Sequence, residues 1–146
     1  MIQRYFDATY LGKLHWLEPG SQEVTACAVA ADELVCALHG GAEFYSIGHR
    51  KIRESLATPA TVRAVFLQFQ TDCASGQIRL LPLTESIIQR VEAIFLTAPA
   101  STYLRAADAL HLATAAEHGF TEIYSNDRHL LAAAPLFGLV GVNVIP

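Results

Sequence analysis

Four carboxylates stand in apolar surroundings, where an isolated charge is costly to bury. They are Asp7, Glu43, Asp108 and Asp127. Asp7 ends a strand-like run at the start of the chain, and Asp108 interrupts a stretch that is apolar almost all round. Few neighbouring residues offer a positive charge to pair with them. A bound divalent metal ion would satisfy all four acids together, and this is the chemistry that we test against the rest of the sequence.

The donor types indicate which metal such a centre would take. Hard divalent cations prefer carboxylate oxygens, and the chain has neither a paired-cysteine motif nor an HExxH pattern. This donor set fits Mg²⁺ or Mn²⁺ better than zinc. A centre of this kind activates water and neutralises the charge that develops on a phosphate. The spacing of the acids along the chain does not by itself show that they converge.

Composition limits the class of protein. The chain has 146 residues, which predicts one domain over 1–146. Its net charge of −4 argues against a basic surface that binds nucleic acid through many phosphates, but does not exclude a nuclease. Apolar residues make up 52% of the chain, and the mean hydropathy is +0.30. These values favour an apolar surface patch that a partner covers.

The cysteines, the N-terminus and the uncharged segments of the chain indicate the cellular compartment. Three widely spaced cysteines, Cys27, Cys36 and Cys73, predict neither a disulfide framework nor a zinc cluster. We interpret them as apolar residues in a reducing cytosol, which favours a cytoplasmic protein. The N-terminus lacks the pattern of a secretory leader, and the longest uncharged segment, 130–146, is short and broken by Pro and Gly. We therefore expect no membrane association.

Strands alternate with helices along the chain, which predicts an α/β fold with a mostly parallel, five-stranded sheet. The predicted strands are 2–6, 34–38, 78–82, 123–125 and 140–145. The predicted helices are 11–17, 21–31, 40–55, 59–76, 84–96, 103–118 and 128–134. Asp7 and Asp127 then follow the first and fourth strands directly. Ligands of open parallel sheets bind outside the carboxyl ends of the strands, near the point where the strand order reverses.

Four segments of the chain resemble the motifs of PIN-domain ribonucleases, and most closely those of the toxins of VapBC toxin–antitoxin pairs. The segments are 4–14, 42–44, 104–113 and 124–131, in the order that the family has them. The resemblance implies a three-layer α/β/α sandwich with a Mg²⁺- or Mn²⁺-dependent endoribonuclease site. It implies Asp7, Glu43, Asp108 and Asp127 as catalytic residues and metal ligands. It also implies that Thr9, Ser125 and Asn126 lie beside the metal and the substrate.

Several neighbouring residues remain open to two interpretations. Arg50 and Lys51, in the one dense basic cluster, either hold the RNA backbone or form a solvated helix end that matches the helix dipole. The pair Gly40-Gly41 opens the helix that carries Glu43 and loosens the backbone there. His111 is expected to be a hydrogen-bonded structural residue rather than a ligand, with no other histidine at ligand spacing. Arg105 either pairs with Asp108 or contacts phosphate.

The resemblance also implies partners: an RNA substrate, a small cognate antitoxin and a second copy of the chain in a homodimer. Two other functions remain open. One is a PIN-fold module that binds RNA or protein and has little nuclease activity. The other is a Mg²⁺-dependent phosphatase, since Asp7 followed by Ala8 and Thr9 resembles the start of an aspartyl-phosphate motif. That motif needs a second Asp, as general acid, where this chain has Thr9.

Overall fold

The computed structural model describes all 146 residues. Its strands are β1 (Gln3–Tyr5), β2 (Glu33–Ala37), β3 (Ile78–Leu81), β4 (Glu122–Tyr124) and β5 (Val140–Val142). Its helices are α1 (Ala8–His15), α2 (Ser21–Val29), α3 (Leu38–Arg53), α4 (Pro59–Ala74), α5 (Glu85–Thr97), α6 (Ala106–Glu117) and α7 (Arg128–Ala133), and a 3₁₀ turn spans Ala134–Phe137. None of the helices combines the length and the apolar character that crossing a membrane requires.

The five strands form two parallel ladders, β1-β2-β3 and β4-β5. An isolated parallel bridge between Phe6 and Tyr124 joins them, so the strand order is β3-β2-β1-β4-β5. The order therefore reverses between β1 and β4. This confirms the predicted α/β fold with a five-stranded parallel sheet, although the two halves of the sheet meet at one bridge only.

Neighbouring residues of each strand face opposite sides of the sheet, and each side has its own apolar core. Tyr5 and Val35 face one core, which contains residues of α5, α6 and α7. Phe6 and Cys36 face the other, which contains residues of α1, α2, α3 and α4. Helices thus cover both faces of the sheet, which confirms the three-layer sandwich.

Several predicted boundaries differ from the structure, and two of the differences have a clear side-chain cause. The first helix begins at Ala8 rather than near residue 11, because the Asp7 side chain accepts a hydrogen bond from the Tyr10 amide and caps it. The last strand ends at Val142 rather than near residue 145. There the Asn143 side chain accepts hydrogen bonds from the Tyr10 hydroxyl and the Ile145 amide, which turns the backbone away from the sheet.

Candidate active site

Asp7 and Asp127 lie at the carboxyl ends of β1 and β4, on either side of the point where the strand order reverses. Each carboxylate also caps the helix that follows its strand. Asp7 caps α1, and Asp127 caps α7 by accepting hydrogen bonds from the amides of His129 and Leu130. The caps fix both side chains at this edge of the sheet, as their sequence positions predicted.

Asp7 is the most deeply buried of the four acids, with 3% of its surface exposed. Its oxygens accept hydrogen bonds from the hydroxyls of Thr9 and Ser125 and from the Tyr10 amide. Burial raises the pKa of Asp7, while the nearby His111 and these hydrogen bonds oppose the rise. No cationic side chain contacts this carboxylate. It is therefore a buried acid that a bound cation would stabilise.

Ser125 joins Asp7 to Asp127. Its hydroxyl donates to Oδ2 of Asp7 and accepts from the backbone amide of Asp127, with 2.9 Å between nitrogen and oxygen. Ser125 is completely buried. One side chain thereby holds the two strand-end acids in a fixed relation.

Arg105 joins Asp127 to Asp108. Nη2 of Arg105 lies 2.6 Å from Oδ2 of Asp127, and Nε lies 3.0 Å from Oδ2 of Asp108. Burial raises the pKa of Asp108, and the arginine opposes that rise. The sequence left open whether Arg105 pairs with Asp108, and the structure shows that it pairs with both acids. The arginine is half exposed, so it is the one cation of the cluster that can leave by rotating its side chain.

Glu43 contacts two histidines instead of the other acids. Nε2 of His111 hydrogen-bonds Oε1 of Glu43 at 2.5 Å, and Nε2 of His39 lies 3.7 Å from the same oxygen. Burial lowers the pKa of His111, but the neighbouring Cys36 and Glu43 side chains outweigh burial and raise the pKa to about 10. Burial raises the pKa of Glu43, but His111, His39 and Arg105 more than offset it and the pKa is lowered. Glu43 and His111 therefore form an ion pair at neutral pH.

The pair Gly40-Gly41 lies inside α3 and does not open it, which corrects the sequence interpretation. Both glycines are buried. A Cβ at Gly40 would come within 2.4 Å of Cys36 Sγ and 3.1 Å of His111 Cε1. The missing side chain lets α3 approach β2 and α6 closely. Glu43 is thus held near His111 by close packing rather than left loose.

Thr9, Ser125 and Asn126, which were predicted to lie beside the metal and substrate, differ in whether their side chains are free to bind a ligand. The hydroxyl groups of Thr9 and Ser125 both donate their hydrogen bonds to the Asp7 carboxylate. Thr9 also accepts, at 3.4 Å, from the backbone amide of Asn126. The exposed Asn126 side chain accepts a hydrogen bond from the Asn143 amide. Asn126 is therefore the one of these three residues that faces solvent.

Arg50 and Lys51 lie in the last turn of α3, about two turns beyond Glu43. Nζ of Lys51 is 3.2 Å from Oε2 of Glu18 and 5.0 Å from the centre of the Trp16 ring. Arg50 is exposed and forms no ion pair. The structure thus ties Lys51 to its own domain and leaves only Arg50 of these two residues free for an external anion.

The largest cavity is remote from the four acids. It has a volume of about 640 Å³ and lies between α1, α2 and α4, beside the amino ends of β2 and β3. Its lining includes Asp32, Glu33 and Gln77, which precede or begin those strands. The carboxylates occupy the opposite edge of the sheet and do not line this cavity. Cavity size therefore does not locate the candidate active site.

Comparison with known proteins agrees with this architecture. The PIN domain family model matches residues 14–135, a range that includes Glu43, Asp108 and Asp127 and begins after Asp7. The chain belongs to the PIN domain family, as its motifs predicted. No curated protein matches it.

One solved structure with the same fold is that of VapC20 from Mycobacterium tuberculosis, described as a sarcin-ricin loop cleaving toxin. The TM-score is 0.68 at 14% sequence identity, and the alignment covers 88% of this chain and 93% of VapC20. The similarity therefore extends over nearly the whole of both proteins. At this level of identity it establishes the common fold.

Sequence reasoning missed one member of the cluster, His39. Its ring centre lies 4.2 Å from that of His111. Each of His39, Glu43 and His111 has a donor atom within 4.8 Å of the others, and this trio contains only one of the four predicted acids. A signal was available in the sequence, because His39 and Glu43 are four residues apart and share a helix face.

Proposed function

We propose that this protein is an endoribonuclease that hydrolyses RNA phosphodiesters with the help of Mg²⁺ or Mn²⁺, and that it is the toxin of a toxin–antitoxin pair. The observation that carries the proposal is the connected set of Asp7, Asp127 and Asp108 at the carboxyl edge of the sheet. Membership of the PIN domain family supports it. The fold that the chain shares with a toxin that cleaves the sarcin-ricin loop supports it further.

The donor set fits a hard divalent cation. Asp7 is a buried carboxylate without a cationic partner, and Asp108 and Asp127 face the same edge of the sheet. We assign Asp7, Asp108 and Asp127 as its ligands, with Glu43 as a ligand or as the group that orients the attacking water. A cation bound there would supply a more acidic water and neutralise charge on the phosphate.

The remaining residues of the site prepare the acids for this task. Thr9 and Ser125 hold the Asp7 carboxylate in one orientation by donating to its two oxygens. Arg105 pairs with both Asp108 and Asp127 in the absence of a metal ion. Once displaced, its half-exposed guanidinium is available to the RNA phosphate, for which its planar fork is well suited. Asn126 and Arg50, both exposed, are assigned to substrate contacts.

The test is RNA cleavage by wild type and by Asp108→Asn, with Glu92→Gln as a matched control. Glu92 is an exposed acid on α5 that forms no ion pair. We expect Asp108→Asn to lower Mg²⁺-dependent cleavage by about a hundredfold or more, since the loss of a ligand costs at least as much as the loss of an outer-shell partner. Glu92→Gln should cleave RNA as wild type does, and EDTA should stop cleavage by wild type and by Glu92→Gln. Full EDTA-sensitive activity in Asp108→Asn would contradict the proposal.

A second candidate is a PIN-fold module that binds RNA or protein without cleaving it. A specific observation favours it: Arg105 pairs with both Asp108 and Asp127, and His111 pairs with Glu43, so three of the four acids have an ion-pair partner without a metal. RNA binding with no cleavage in either Mg²⁺ or Mn²⁺ would select this function.

Assigning the protein as a toxin requires that it bind partner chains, namely an antitoxin and a second copy of itself. Several apolar side chains are exposed, among them Leu17, Val29 and Leu96, and leave apolar surface of the kind that partner chains cover. Growth arrest by wild type but not by Asp108→Asn would support a toxin, and a small protein encoded beside it should relieve the arrest. Light scattering of the purified chain tests the homodimer.

A further inference from the structure

A second group of metal-binding side chains adjoins the acids. His39 and Glu43 lie one helical turn apart on the same face of α3, and His111 faces them from α6. One donor atom of each residue lies within 4.8 Å of the other two. This set differs from the proposed carboxylate centre in chemistry, because two of its three donors are imidazole nitrogens.

The two ring nitrogens of His39 differ in their partners. Its Nε2 lies 3.7 Å from Oε1 of Glu43 and 3.1 Å from the carbonyl oxygen of Ala107, to which it donates. Its Nδ1 is buried and has no hydrogen-bond partner. Histidines that bind metals usually donate their other ring N–H to a carbonyl or carboxylate, which fixes the tautomer. An unpartnered buried nitrogen in a folded protein calls for an explanation, and a bound ion provides one.

The orientation of the His111 ring is fixed by a hydrogen bond at one of its nitrogens. Its Nδ1 lies 2.8 Å from the hydroxyl of Tyr5, and that hydroxyl accepts a hydrogen bond from the backbone amide of Ala37. Tyr5 and His111 are both buried, so neither ring can turn freely. The other nitrogen, Nε2, points at Glu43.

Access and packing suit a small ion. Glu43 has 36% of its side chain exposed, which opens the trio to solvent on one side. Gly40 lets α3 lie close enough for the two imidazoles to share a carboxylate, since a Cβ there would lie 3.1 Å from His111 Cε1. Solvent can supply the water that completes the coordination.

We propose that His39, Glu43 and His111 bind a transition-metal ion of the zinc and cobalt type, at a site that adjoins the carboxylate centre and shares only Glu43 with it. Two imidazoles and one carboxylate are the donors of open, three-ligand zinc sites, whereas Mg²⁺ takes oxygen donors. On binding, the proton between His111 and Glu43 leaves to solvent and the ion takes its place. Glu43 is the one residue common to both sites. The proposal does not depend on nuclease activity.

The test is titration of the purified protein with Co²⁺, followed by its visible absorption. Wild type should bind one equivalent with the absorption of a four- or five-coordinate ion, and Zn²⁺ should displace it. His39→Gln should weaken Co²⁺ binding at least tenfold. His49→Gln is the matched control, because His49 is an exposed histidine on the same helix. It should bind Co²⁺ as wild type does.

Asp108→Asn separates the two sites, since it removes a ligand of the proposed carboxylate centre only. It should keep the Co²⁺ absorption. Thermal denaturation without metal shows whether each variant is folded, and His39 is the preferred position because His111 is fully enclosed. Equal Co²⁺ affinity in wild type and folded His39→Gln would overturn the proposal. Loss of the absorption in Asp108→Asn would overturn it as well, because the ion would then belong to the carboxylates.

Discussion

Arg105 holds Asp127 across the carboxyl edge of the sheet, with 2.6 Å between Nη2 and Oδ2, although the two residues are 22 positions apart. The same guanidinium bonds Asp108, so its positive charge sits between two acids that we assign to a metal. A divalent cation that binds these carboxylates has to compete with the arginine. This competition can be measured.

Arg105→Ala should tighten Mg²⁺ binding by about fivefold, because removing a unit charge at close range in water is worth about 1 kcal/mol. Calorimetric titration of the metal-free protein measures it. Arg128→Ala is the control, since Arg128 adjoins Asp127 but is exposed and forms no ion pair. Equal affinities in wild type and Arg105→Ala would show that the arginine does not compete.

Asp7→Asn should strongly reduce RNA cleavage without harming the fold. The amide still caps α1, and the variant no longer buries a charge, so the free energy of unfolding without metal should equal or exceed that of wild type. RNA cleavage should fall by about a hundredfold or more. Urea denaturation and cleavage assays on one preparation measure both quantities. A folded variant with unchanged cleavage would remove Asp7 from the proposed site.

Two adjacent glycines of α3 should respond in opposite ways to alanine. Gly40→Ala places a Cβ against Cys36 and His111 and should destabilise the protein by about 1–3 kcal/mol. A Cβ at Gly41 would have its nearest neighbour, Leu80 Cδ1, at an ordinary 3.5 Å. Gly41→Ala should therefore be neutral or stabilise by up to about 1 kcal/mol through helix propensity.

Chemical denaturation of the two variants measures this difference. Adding Cys36→Ala to Gly40→Ala should recover part of the loss, because it removes the sulfur atom nearest the new methyl group. If Gly40→Ala proves as stable as wild type, close packing is not what holds Glu43 beside His111.

The pair of His111 and Glu43 predicts a loss of stability in alkali. The pKa of His111 is raised from 6.5 to about 10 in the folded protein, so its contribution is complete below pH 6.5 and is lost as the pH rises towards 10. We expect wild type to lose more stability over this range than His111→Gln does. Urea denaturation at several pH values measures the two curves. His49→Gln should follow wild type, and parallel curves for wild type and His111→Gln would contradict the ion pair.

The layer structure could be predicted from the sequence because local patterns determine it. Short apolar runs alternate with helical segments, and the side chains of Thr58, Thr84 and Asp127 cap the helices that follow them. The same local patterns predicted that Asp7 and Asp127 lie at strand ends. The end of β5 could not be predicted in this way, because the distant Tyr10 hydroxyl hydrogen-bonds Asn143 just beyond that strand.

The partners of the acids could not be predicted in the same way. The contact of His111 with Glu43 joins residues 68 positions apart, and it depends on how closely α3 packs on α6. Gly40 permits that approach, yet glycine in a sequence equally indicates a turn or a flexible segment. Only the packed structure distinguishes these roles.

The two halves of the sheet meet at a single bridge between Phe6 and Tyr124, and the candidate site spans that junction. Asp7 belongs to one half of the sheet, while Ser125 and Asp127 follow the strand that begins the other. A ligand that binds both acids therefore also fastens the two halves to each other, and its binding energy becomes resistance to local opening. The Asp7 amide, which donates to Tyr124 across the junction, would then exchange its hydrogen with solvent more slowly.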